Sequence, residues 1–434
     1  MTRRVIVIGA GFAGCMAAHE LADADFEVEV LEARARVGGR VWSHRFDDGV
    51  VAELGAELIE DWYGLMLGIA SERGLEFTEG PQRIRRFPFF DRGRRVDVPD
   101  EEILAEVIAA LERLEAFVGS AAATPNSDAG RAIDAMTVRQ GLDAIELAGV
   151  PRRWFDALIS GWSCREQDEE SLLHFALRRA IPQLRSGFAQ SRWGRRLVGG
   201  NDQIARILLE PIADRVHLRA RVRAIDWAPG RVVVAYETPD GPRRSEADGC
   251  VMAIPPQPLA EIAWSPSLPI RARAYGRLLG GCGAKVLFRH PPGAAPDPVF
   301  LSQEPRFHGW RSGDRPVGGV ATMYLGGTYA RAVSEGGKDG RQIAREWLGY
   351  AYPDTARAAS DIVVAGWCTD PLTVTCGPVY PPGTMATGHR PSAAPVGDAM
   401  FFAGEHTSPD RFGSMEGALE TGRRAAMEAI RVLA

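Results

Sequence analysis

The sequence predicts an α/β protein whose central element is a doubly wound, Rossmann-like parallel sheet. Three features near the N-terminus support this prediction. The apolar run Val5 to Ile8 has the composition of a buried strand, and it leads directly into Gly9, Gly11 and Gly14. A helical segment follows, and a second apolar strand ends on Glu32. A strand, a GxGxxG turn, a helix and an acidic residue at the end of the next strand together indicate a dinucleotide-binding unit.

The three glycines have different roles in such a unit. Gly9 permits the tight turn, Gly11 lets the backbone approach a pyrophosphate, and Gly14 lets the helix pack closely on the sheet. The pyrophosphate would lie at the positive end of the helix dipole. The carboxylate of Glu32 can accept hydrogen bonds from a ribose.

The segment after Glu32 contains a second glycine-rich turn with a cation at its end. Residues 34–40 have the sequence RARVGGR, which suits a dinucleotide bound in an extended form with an arginine near its phosphates. This arrangement resembles the FAD-binding start of the flavin-containing amine oxidase superfamily. That superfamily includes monoamine oxidases, polyamine oxidases and L-amino acid oxidases, with desaturases and protoporphyrinogen oxidases as more distant members.

The C-terminal segments FFAGE (401–405) and GSMEGALETGRRAA (413–426) resemble the C-terminal flavin motif of the same superfamily. The predicted last helix has small residues at positions 418, 422, 425 and 429, which allow close packing against a neighbour. The resemblance implies that Glu405 holds the ribityl or phosphate end of FAD. It also implies that the helix starts at the flavin ring, where its dipole would stabilise negative charge.

Segments 196–204, 216–225 and 250–256 are similar to the family's central FAD segments, so the resemblance touches nearly the whole chain. The resemblance implies FAD contacts at the following positions, with the backbone of Val222 as its contact: Gly9, Gly11, Ala13, Gly14, Glu32, Ala33, Arg34, Gly39, Arg40, Gly55, Ala56, Val222, Ala253, Trp367, Cys376, Gly404, Glu405, Ser414, Met415 and Ala418.

The order of these segments predicts two interleaved domains. Residues 1–80, 195–260 and 375–434 are expected to build the FAD-binding domain. Residues 81–194 and 261–374 are expected to form an α+β substrate-binding domain, with the active site where it meets the flavin. Hydrophobic periodicity and turn residues predict the following elements in the second domain: an amphipathic helix at Glu101 to Val118, an exposed loop at Ala121 to Gly130, and strands at Lys285 to Phe288, Val320 to Leu325 and Ile362 to Trp367.

The composition predicts a soluble globular enzyme. The chain has 434 residues, of which 45% are hydrophobic and 25% charged, and this length suits two domains. The net charge of −5 argues against nucleic acid or an anionic membrane as a partner. We expect no secretory signal, because the first strand begins at residue 5, and no transmembrane run. The six cysteines show no disulfide framework and the eight histidines no metal-ligand spacing. We therefore predict a cytoplasmic protein without a metal site, which can form a homodimer.

Three residues are candidates for catalysis. No second GxGxxG unit follows a strand, so electrons taken from a substrate would pass most simply to oxygen rather than to a nicotinamide. Lys285 begins an apolar strand, and the resemblance implies that it holds a water against N5 of the flavin; the alternative is a solvent-facing lysine at a strand edge. Trp367 resembles the tryptophan that packs beside the flavin ring. Glu60 falls where plant polyamine oxidases carry an acid that meets a substrate ammonium; the alternative is a solvated acidic turn formed with Glu57 and Asp61.

The sequence differs from that of the monoamine oxidases at the substrate cage. Cys376 falls nine residues after Trp367, where those enzymes link FAD through a thioether, but we favour an ordinary buried thiol and non-covalent FAD. The two aromatic rings that flank the substrate amine in those enzymes are replaced by Gly377 and Ser414. A simple arylalkylamine is therefore not the expected substrate, and a bulkier or more polar amine is.

The resulting hypothesis is an FAD-dependent oxidase that converts an amine to an imine and returns electrons to oxygen as hydrogen peroxide. The alternatives are an L-amino acid oxidase, a tailoring oxidase or dehydrogenase of secondary metabolism, and a carbon–carbon desaturase that shares only the FAD fold. An L-amino acid oxidase needs an arginine to bind the substrate carboxylate. Arginines 83, 85, 86, 92, 94 and 95 surround an aromatic segment, but their spacing favours a hairpin with a basic outer face.

Overall fold

The computed structural model describes residues 2–79, 88–96, 100–178, 194–269, 279–313, 319–386, 393–409 and 411–434. Within them, a parallel sheet carries the glycine-rich turn. Its strands lie in the order Met400–Phe402, Gly249–Met252, Arg4–Ile8, Glu27–Glu32 and Val216–Leu218. The central strand is buried on both faces, which explains its uninterrupted apolar sequence.

The two helices Phe12–Asp23 and Met415–Leu433 pack together on one face of this sheet. Their contact depends on small residues, as the pattern of the last helix predicts. A Cβ added at Gly422 would lie 2.2 Å from the carbonyl oxygen of Ala13, far inside van der Waals contact. The C-terminal helix therefore rests directly on the backbone of the helix that starts at the glycine-rich turn.

A second sheet covers the opposite face of the parallel sheet. In the described part of the chain its strands lie in the order Gly241–Ala247, Arg231–Thr238, Arg221–Ala228 and Ala263–Ser265. Apolar side chains of Ile6, Ile8 and Leu31 pack against Ile225 and Val232 of this sheet. These contacts fix the strand Arg221–Ala228 beside the end of the dinucleotide-binding strands.

The third sheet is mainly antiparallel and carries Lys285. Among the described residues, its strands lie in the order Asp361–Gly366, Gly283–Arg289, Val320–Gly326, Arg306–Ser312, Val299–Gln303, Phe89–Asp91 and Arg94–Arg95. One face packs on the helices Asp100–Val118 and Gly149–Ser163, and the other on Gly327–Glu335 and Lys338–Ala351. The strands predicted from Lys285, Val320 and Ile362 are all confirmed, with bounds that differ by a few residues.

The remaining described elements are short. Two-residue and three-residue strands form the pairs Ser43–Arg45 with Val51–Glu53, Phe77–Glu79 with Arg195–Leu197, and Leu279–Gly280 with Pro378–Val379. The other helices are Gly64–Glu72, Asp128–Asp134, Val138–Ala144, Leu172–Leu177, Gln203–Leu209, Pro256–Ala260 and Pro353–Ala358. Short 3₁₀ segments occupy Gly119–Ala122, Glu210–Arg215, Pro292–Ala294 and Glu405–Thr407.

Two sequence predictions need correction. The segment 121–130 is not a loop throughout, because the helix Asp128–Asp134 begins inside it. Ser127 caps this helix by accepting a hydrogen bond from the backbone N–H of Gly130 at 3.0 Å. The expectation of no disulfide is also wrong, because Cys282 and Cys368 are joined by one across 86 residues of sequence. Cys282 immediately precedes the strand Gly283–Arg289, and Cys368 lies two residues after the neighbouring strand Asp361–Gly366. Nothing in their spacing along the chain indicates that pairing.

The interleaved domain division stays a prediction. Every strand of the parallel sheet comes from the three segments assigned to the FAD-binding domain, and every strand of the Lys285 sheet from the other two. The strand Ala263–Ser265 lies just past the predicted boundary at 260 and pairs with Arg221–Ala228. No helix within the described ranges is long and apolar enough to cross a membrane.

Candidate active site

A long pocket opens at the carboxyl ends of the parallel strands. Among the positions expected to contact the cofactor, only Gly14, Gly55 and Trp367 do not line it. The lining positions that the sequence predicts are Gly9, Gly11, Ala13, Glu32, Ala33, Arg34, Gly39, Arg40, Ala56, Val222, Ala253, Cys376, Gly404, Glu405, Ser414, Met415 and Ala418. Open α/β sheets bind their ligands at this edge.

The glycine-rich turn leaves space for a ligand at one glycine and none at the other two. A Cβ on Gly9 would lie 2.8 Å from the carbonyl oxygen of Ala253, and the φ of Gly9 is +97°. A Cβ on Gly14 would lie 1.8 Å from the carbonyl oxygen of Gly9. A Cβ on Gly11 would meet only the Cα of Gly39, at 4.0 Å. Gly11 is thus the one of the three whose missing side chain opens toward the pocket.

The first helix presents an uncapped N-terminus to this pocket. Gly11 is its N-cap residue and has no side chain to bind the free N–H groups of the first turn. Gly11, Phe12 and Ala13 all line the pocket. Unpaired N–H groups at the positive end of a helix dipole suit a pyrophosphate, so the residues present fit a dinucleotide cofactor.

Glu32 is buried at the end of the second parallel strand. Its Oε2 accepts a hydrogen bond from the N–H of Ala10 at 2.7 Å, and its Oε1 accepts one from the N–H of Arg34 at 2.8 Å. Burial raises the pKa of this carboxyl above its ordinary value, against the effect of these two hydrogen bonds. Each carboxylate oxygen keeps a second lone pair, so Glu32 can still accept a hydrogen bond from a ribose.

Arg34 and Arg40, which are both expected to contact FAD, have different environments. Arg34 binds Asp370 through two hydrogen bonds of 2.7 and 2.8 Å, so its charge is already balanced. Arg40 binds Oε1 of Glu405 at 2.8 Å and donates to the carbonyl oxygen of Cys376 at 3.0 Å. Burial alone would raise the pKa of Glu405, but the Arg40 guanidinium holds it below its ordinary value. The Arg40–Glu405 pair therefore joins the second glycine-rich turn to the C-terminal motif.

Lys285 is buried, so the alternative of a solvent-facing lysine is wrong. The residue is 5% exposed, and its Nζ donates to Oε2 of Glu57 at 2.6 Å and to the carbonyl oxygen of Glu53 at 3.3 Å. The ammonium lies 5.3 Å from the ring centroid of Trp310. These contacts fix a cation beside residues 53–57, and Ala56 in this segment lines the pocket.

Gly55 and Trp367 support this same segment rather than line the pocket. A Cβ on Gly55 would lie 2.0 Å from the carbonyl oxygen of Arg40, so a glycine is needed for the two backbone segments to touch. The indole of Trp367 donates to the carbonyl oxygen of Leu54 at 3.1 Å and packs edge-on against Trp42. The predicted contact of Trp367 with the flavin ring stays a prediction.

The alternative of a solvated acidic turn formed by Glu57, Glu60 and Asp61 agrees with the structure only in part. Glu57 is buried, Glu60 is half-buried and does not line the pocket, and Asp61 is exposed and paired with Arg195. Burial raises the pKa of the Tyr63 phenol, and the negative charge of Glu60 raises it further, so Glu60 lies near this phenol. The three acids do not form one site.

The positions that replace the aromatic cage differ from each other. Gly377 is buried, yet a Cβ added there would meet no atom within 4 Å, so it faces an internal space. The hydroxyl of Ser414 caps the last helix, accepting from the N–H of Gly417 at 3.0 Å and donating to the carbonyl oxygen of Arg411 at 2.6 Å. Neither position supplies a wall to a substrate amine.

Cys376 lines the pocket but its thiol is engaged with a second cysteine. The thiols of Cys376 and Cys164 both lie about 3 Å from the position that a Cβ on Gly283 would occupy. A hydrogen bond with Cys164 and burial raise the pKa of Cys376 above its ordinary value. A thiol, not a thiolate, is therefore the resting form of Cys376.

Part of the arginine cluster can be assessed. Arg92, Arg94 and Arg95 are exposed on the hairpin formed by Phe89–Asp91 and Arg94–Arg95, as predicted. Positions 83, 85 and 86 lie outside the described residues. The guanidinium of Arg178 was not predicted, and its Nη2 lies 3.2 Å from the position of a Cβ on the pocket residue Gly413.

The residues that surround Lys285 are not indicated by the sequence. Glu57 was considered only as part of a solvated turn, and Arg196 and Trp310 carried no signal that would link them to it. These side chains come from separate strands and a loop, so their pairing is a product of the tertiary fold. The one local indication that these acids belong to the site is their spacing, because Glu53 and Glu57 each lie two residues from Gly55.

Comparisons with known proteins agree with a dinucleotide-binding site of this kind. A family model described as "Flavin containing amine oxidoreductase" matches residues 12–430. The chain is 26% identical to the flavin-containing amine oxidase A of Sus scrofa, over 99% of this chain and 85% of that protein. Its fold is similar to cyclohexylamine oxidase from Brevibacterium oxydans, with a TM-score of 0.84, 24% identity and full coverage of both chains. It is also similar to a putrescine oxidase bound to putrescine, with a TM-score of 0.81, 21% identity and 99% coverage of each chain.

Proposed function

The chain belongs to the flavin-containing amine oxidoreductase family, and we propose that within it the protein is an oxidase with oxygen as the electron acceptor. When bound, FAD would supply a hydride acceptor for the carbon beside the amine nitrogen, and the electrons, together with two protons, would convert oxygen to hydrogen peroxide. The amine becomes an imine, which water hydrolyses. The residues described below would bind and orient the substrate and supply the positive charge near the cofactor.

The observation that carries the proposal is the buried ammonium of Lys285. An ammonium has three donors, and Glu57 and the backbone of Glu53 account for two of them. The third can hold a water molecule on the cofactor side, because Ala56 of the same segment lines the pocket. A fixed positive charge there favours the build-up of negative charge on a neighbouring group.

The experiment that tests this function compares wild-type enzyme with Lys285→Met. Hydrogen peroxide production is first screened against a panel of amines and amino acids, which identifies a substrate. Stopped-flow absorbance then follows reduction by substrate and reoxidation by oxygen separately. Loss of one positioned charge typically costs about 10²-fold or more, and we expect this loss in reoxidation. The proposed role of Lys285 is wrong if both half-reactions keep their wild-type rates.

We further propose that the substrate is not a simple arylalkylamine. The space in front of Gly377 and the capping role of the Ser414 hydroxyl support a chamber without an aromatic cage. Gly377→Tyr would fill that space with an aromatic ring. The variant is expected to lose activity on the best substrate of the wild-type enzyme and to retain, or gain, activity on benzylamine. Unchanged preference between the two substrates would contradict an open chamber beside Gly377.

We propose that Glu60 meets the substrate ammonium and that FAD is held without a covalent bond. For Glu60, Glu60→Gln should raise KM for a cationic substrate and leave the rate of reoxidation unchanged. For Cys376, the raised pKa supports a thiol that does not attack the flavin. The interleaved domain division, the cytoplasmic location and the homodimer are part of the same proposal.

One observation favours a second candidate, an L-amino acid oxidase. Arg178 lies beside the pocket residue Gly413, and its described ion pair with Glu170 is long, at 3.9 Å. An arginine with donors in reserve can bind a substrate carboxylate by two hydrogen bonds. Peroxide production with amino acids that is lost in Arg178→Met would support this candidate. Production with amines alone would exclude it.

A further inference from the structure

The carboxylate of Glu57 is the centre of a buried cluster of charges. Besides Lys285, it accepts hydrogen bonds from Nη1 of Arg196 at 2.6 Å and Nε1 of Trp310 at 3.0 Å, both on Oε1. The hydroxyl of Ser312 donates to the same oxygen at 3.4 Å. All five side chains are buried. Their hydrogen bonds use both oxygens of the carboxylate, so the Glu57 side chain is held in one orientation.

The partners of Glu57 come from three strands that are distant in sequence. They are Arg195–Leu197, Gly283–Arg289 and Arg306–Ser312. One carboxylate thus faces two buried cations, and neither cation has another carboxylate within ion-pair distance among the described residues. Burial opposes ionisation of Glu57, but Lys285 and Arg196 lower its pKa to about 2. It is therefore charged at every pH at which an enzyme is normally assayed.

We propose that Glu57 is the positioning residue for Lys285: its carboxylate fixes the direction of the Nζ donors and keeps the ammonium charged beside Arg196. This inference rests on the proposed role of Lys285 in the oxidation. Lys285 is suited to such control, because a lysine carries a compact charge on a flexible stem and depends on its partners for direction. Without Glu57, burial and the neighbouring Arg196 would both favour the neutral amine.

Other titratable groups face Lys285 from each neighbouring element. Glu53 contributes its backbone oxygen, and burial raises the pKa of its carboxyl to about 7. Tyr324 pairs directly with Lys285 across the sheet, and His308 pairs with Tyr324. Burial raises the pKa of Tyr324 and lowers that of His308 to about 4, so both are neutral near pH 7. Of these three groups, only Glu53 changes charge between pH 6 and pH 9.

The composition of the chain makes Lys285 directly observable. Only two of the 51 basic side chains are lysines, Lys285 and Lys338. Lys338 begins the helix Lys338–Ala351 and is exposed, so its ammonium protons exchange rapidly with water. In holoenzyme labelled with ¹⁵N-lysine, a buried and hydrogen-bonded ammonium should give one Nζ–H cross-peak at pH 7. Lys285→Met should remove it.

The test uses Glu57→Gln, which keeps the shape of the side chain and removes its charge. We expect the ammonium cross-peak to weaken or disappear at pH 7. We also expect the rate of reoxidation to fall at least about tenfold below wild type at pH 9 and to recover toward wild type at pH 6. Lys285→Met should be slow at both pH values. In the double variant, Glu57→Gln should add little to the loss caused by Lys285→Met, because both act through one ammonium.

Two controls separate positioning from general damage. Trp310→Phe removes a hydrogen bond from the same carboxylate without changing charge. It should keep the cross-peak, and any change in the rate of reoxidation should be by the same factor at pH 6 and at pH 9. Glu53→Gln removes the group that titrates near pH 7 but keeps the backbone oxygen, and should keep the cross-peak. If Glu57→Gln does not fold, Glu57→Asp retains the charge and draws the carboxylate back from Nζ. It should then weaken the cross-peak and slow reoxidation at both pH values.

The outcomes distinguish this inference from the proposed function. Wild-type kinetics in Lys285→Met would refute the role of Lys285. Positioning of its ammonium by Glu57 would then have no effect on the reaction. Slow reoxidation in Lys285→Met, combined with a wild-type cross-peak and pH profile in Glu57→Gln, would overturn the inference alone. A loss in Glu57→Gln that does not recover at pH 6, with the cross-peak intact, would also overturn it, because the ammonium would then be in place without Glu57.

Discussion

Replacing Gly11 or Gly14 by alanine adds the same methyl group to the same turn, but the structure predicts opposite consequences. Gly11 has φ −72° and ψ 174°, which alanine adopts without strain, and its Cβ position is open. The methyl group would project where the pocket needs the backbone to be bare. The Cβ position of Gly14 is instead filled by the protein, because the carbonyl oxygen of Gly9 is 1.8 Å away.

The expected magnitudes follow from these distances. For Gly14→Ala, a carbon and an oxygen cannot approach closer than about 3 Å, so the helix must move about 1 Å from the turn. Such overpacking costs about 1–3 kcal/mol in the free energy of unfolding. For Gly11→Ala, the free energy of unfolding of the apoprotein should stay equal or rise by up to about 1 kcal/mol. The same methyl group would crowd a bound cofactor. If this costs about 1–3 kcal/mol in the free energy of binding, FAD would bind about 5- to 150-fold more weakly.

Thermal unfolding of the apoproteins, with and without added FAD, separates the two effects. Gly14→Ala should lower the Tm of the apoprotein by several degrees. Gly11→Ala should keep that Tm and lose most of the increase that FAD gives to wild type. Flavin fluorescence titration gives the matching dissociation constants. A Gly11→Ala protein that binds FAD as tightly as wild type would refute the assignment of this turn to the pyrophosphate.

Three further predictions concern the cofactor and pH. Acid precipitation should release the flavin from the yellow protein, one FAD per chain; colour that stays in the pellet and is lost in Cys376→Ser would show a thioether instead. Arg40→Met should weaken FAD binding at least about tenfold by fluorescence titration, because it leaves the buried carboxylate of Glu405 unpaired. Because the pKa of Glu53 is raised to about 7, its contribution to stability is present below its unfolded pKa and is lost as pH rises through 7. The Tm of Glu53→Gln should therefore fall less than that of wild type between pH 5 and pH 8, and an equal fall would contradict the raised pKa.

The parts of the site that could be predicted from sequence are those encoded by neighbouring residues. The turn at Gly9, the acid Glu32 and the second turn ending at Arg40 lie in one short stretch, where each residue type has a steric or hydrogen-bonding reason. The structure brings that stretch together with Ser414 and Val222 along one pocket. A turn whose backbone must come close to a ligand needs particular residues at fixed spacing. Such a turn can therefore be identified in a single sequence.

The parts that could not be predicted depend on side chains that meet only in the folded chain. Arg34 is one of the positions expected to contact FAD, and the sequence does not show that it pairs with Asp370, which is 336 residues away. The Cys282–Cys368 disulfide and the partners of Glu57 are of the same kind. A buried charge must find a counter-charge, but sequence does not state which one. The apolar strand around Lys285 indicates that its cation needs a polar environment, but it does not indicate which residues supply one.

Residues 53–57 join the two halves of the site. Glu53 is anchored by the hydroxyl of Ser43 and by the N–H of Asn201, which lies just after the strand Arg195–Leu197. Two residues later, Gly55 rests on the backbone of Arg40, so this segment is in direct contact with the second glycine-rich turn. Another two residues later, Glu57 binds Lys285 in the antiparallel sheet. Residues 53–57 therefore contact both the second glycine-rich turn, which lines the cofactor pocket, and the sheet that carries Lys285.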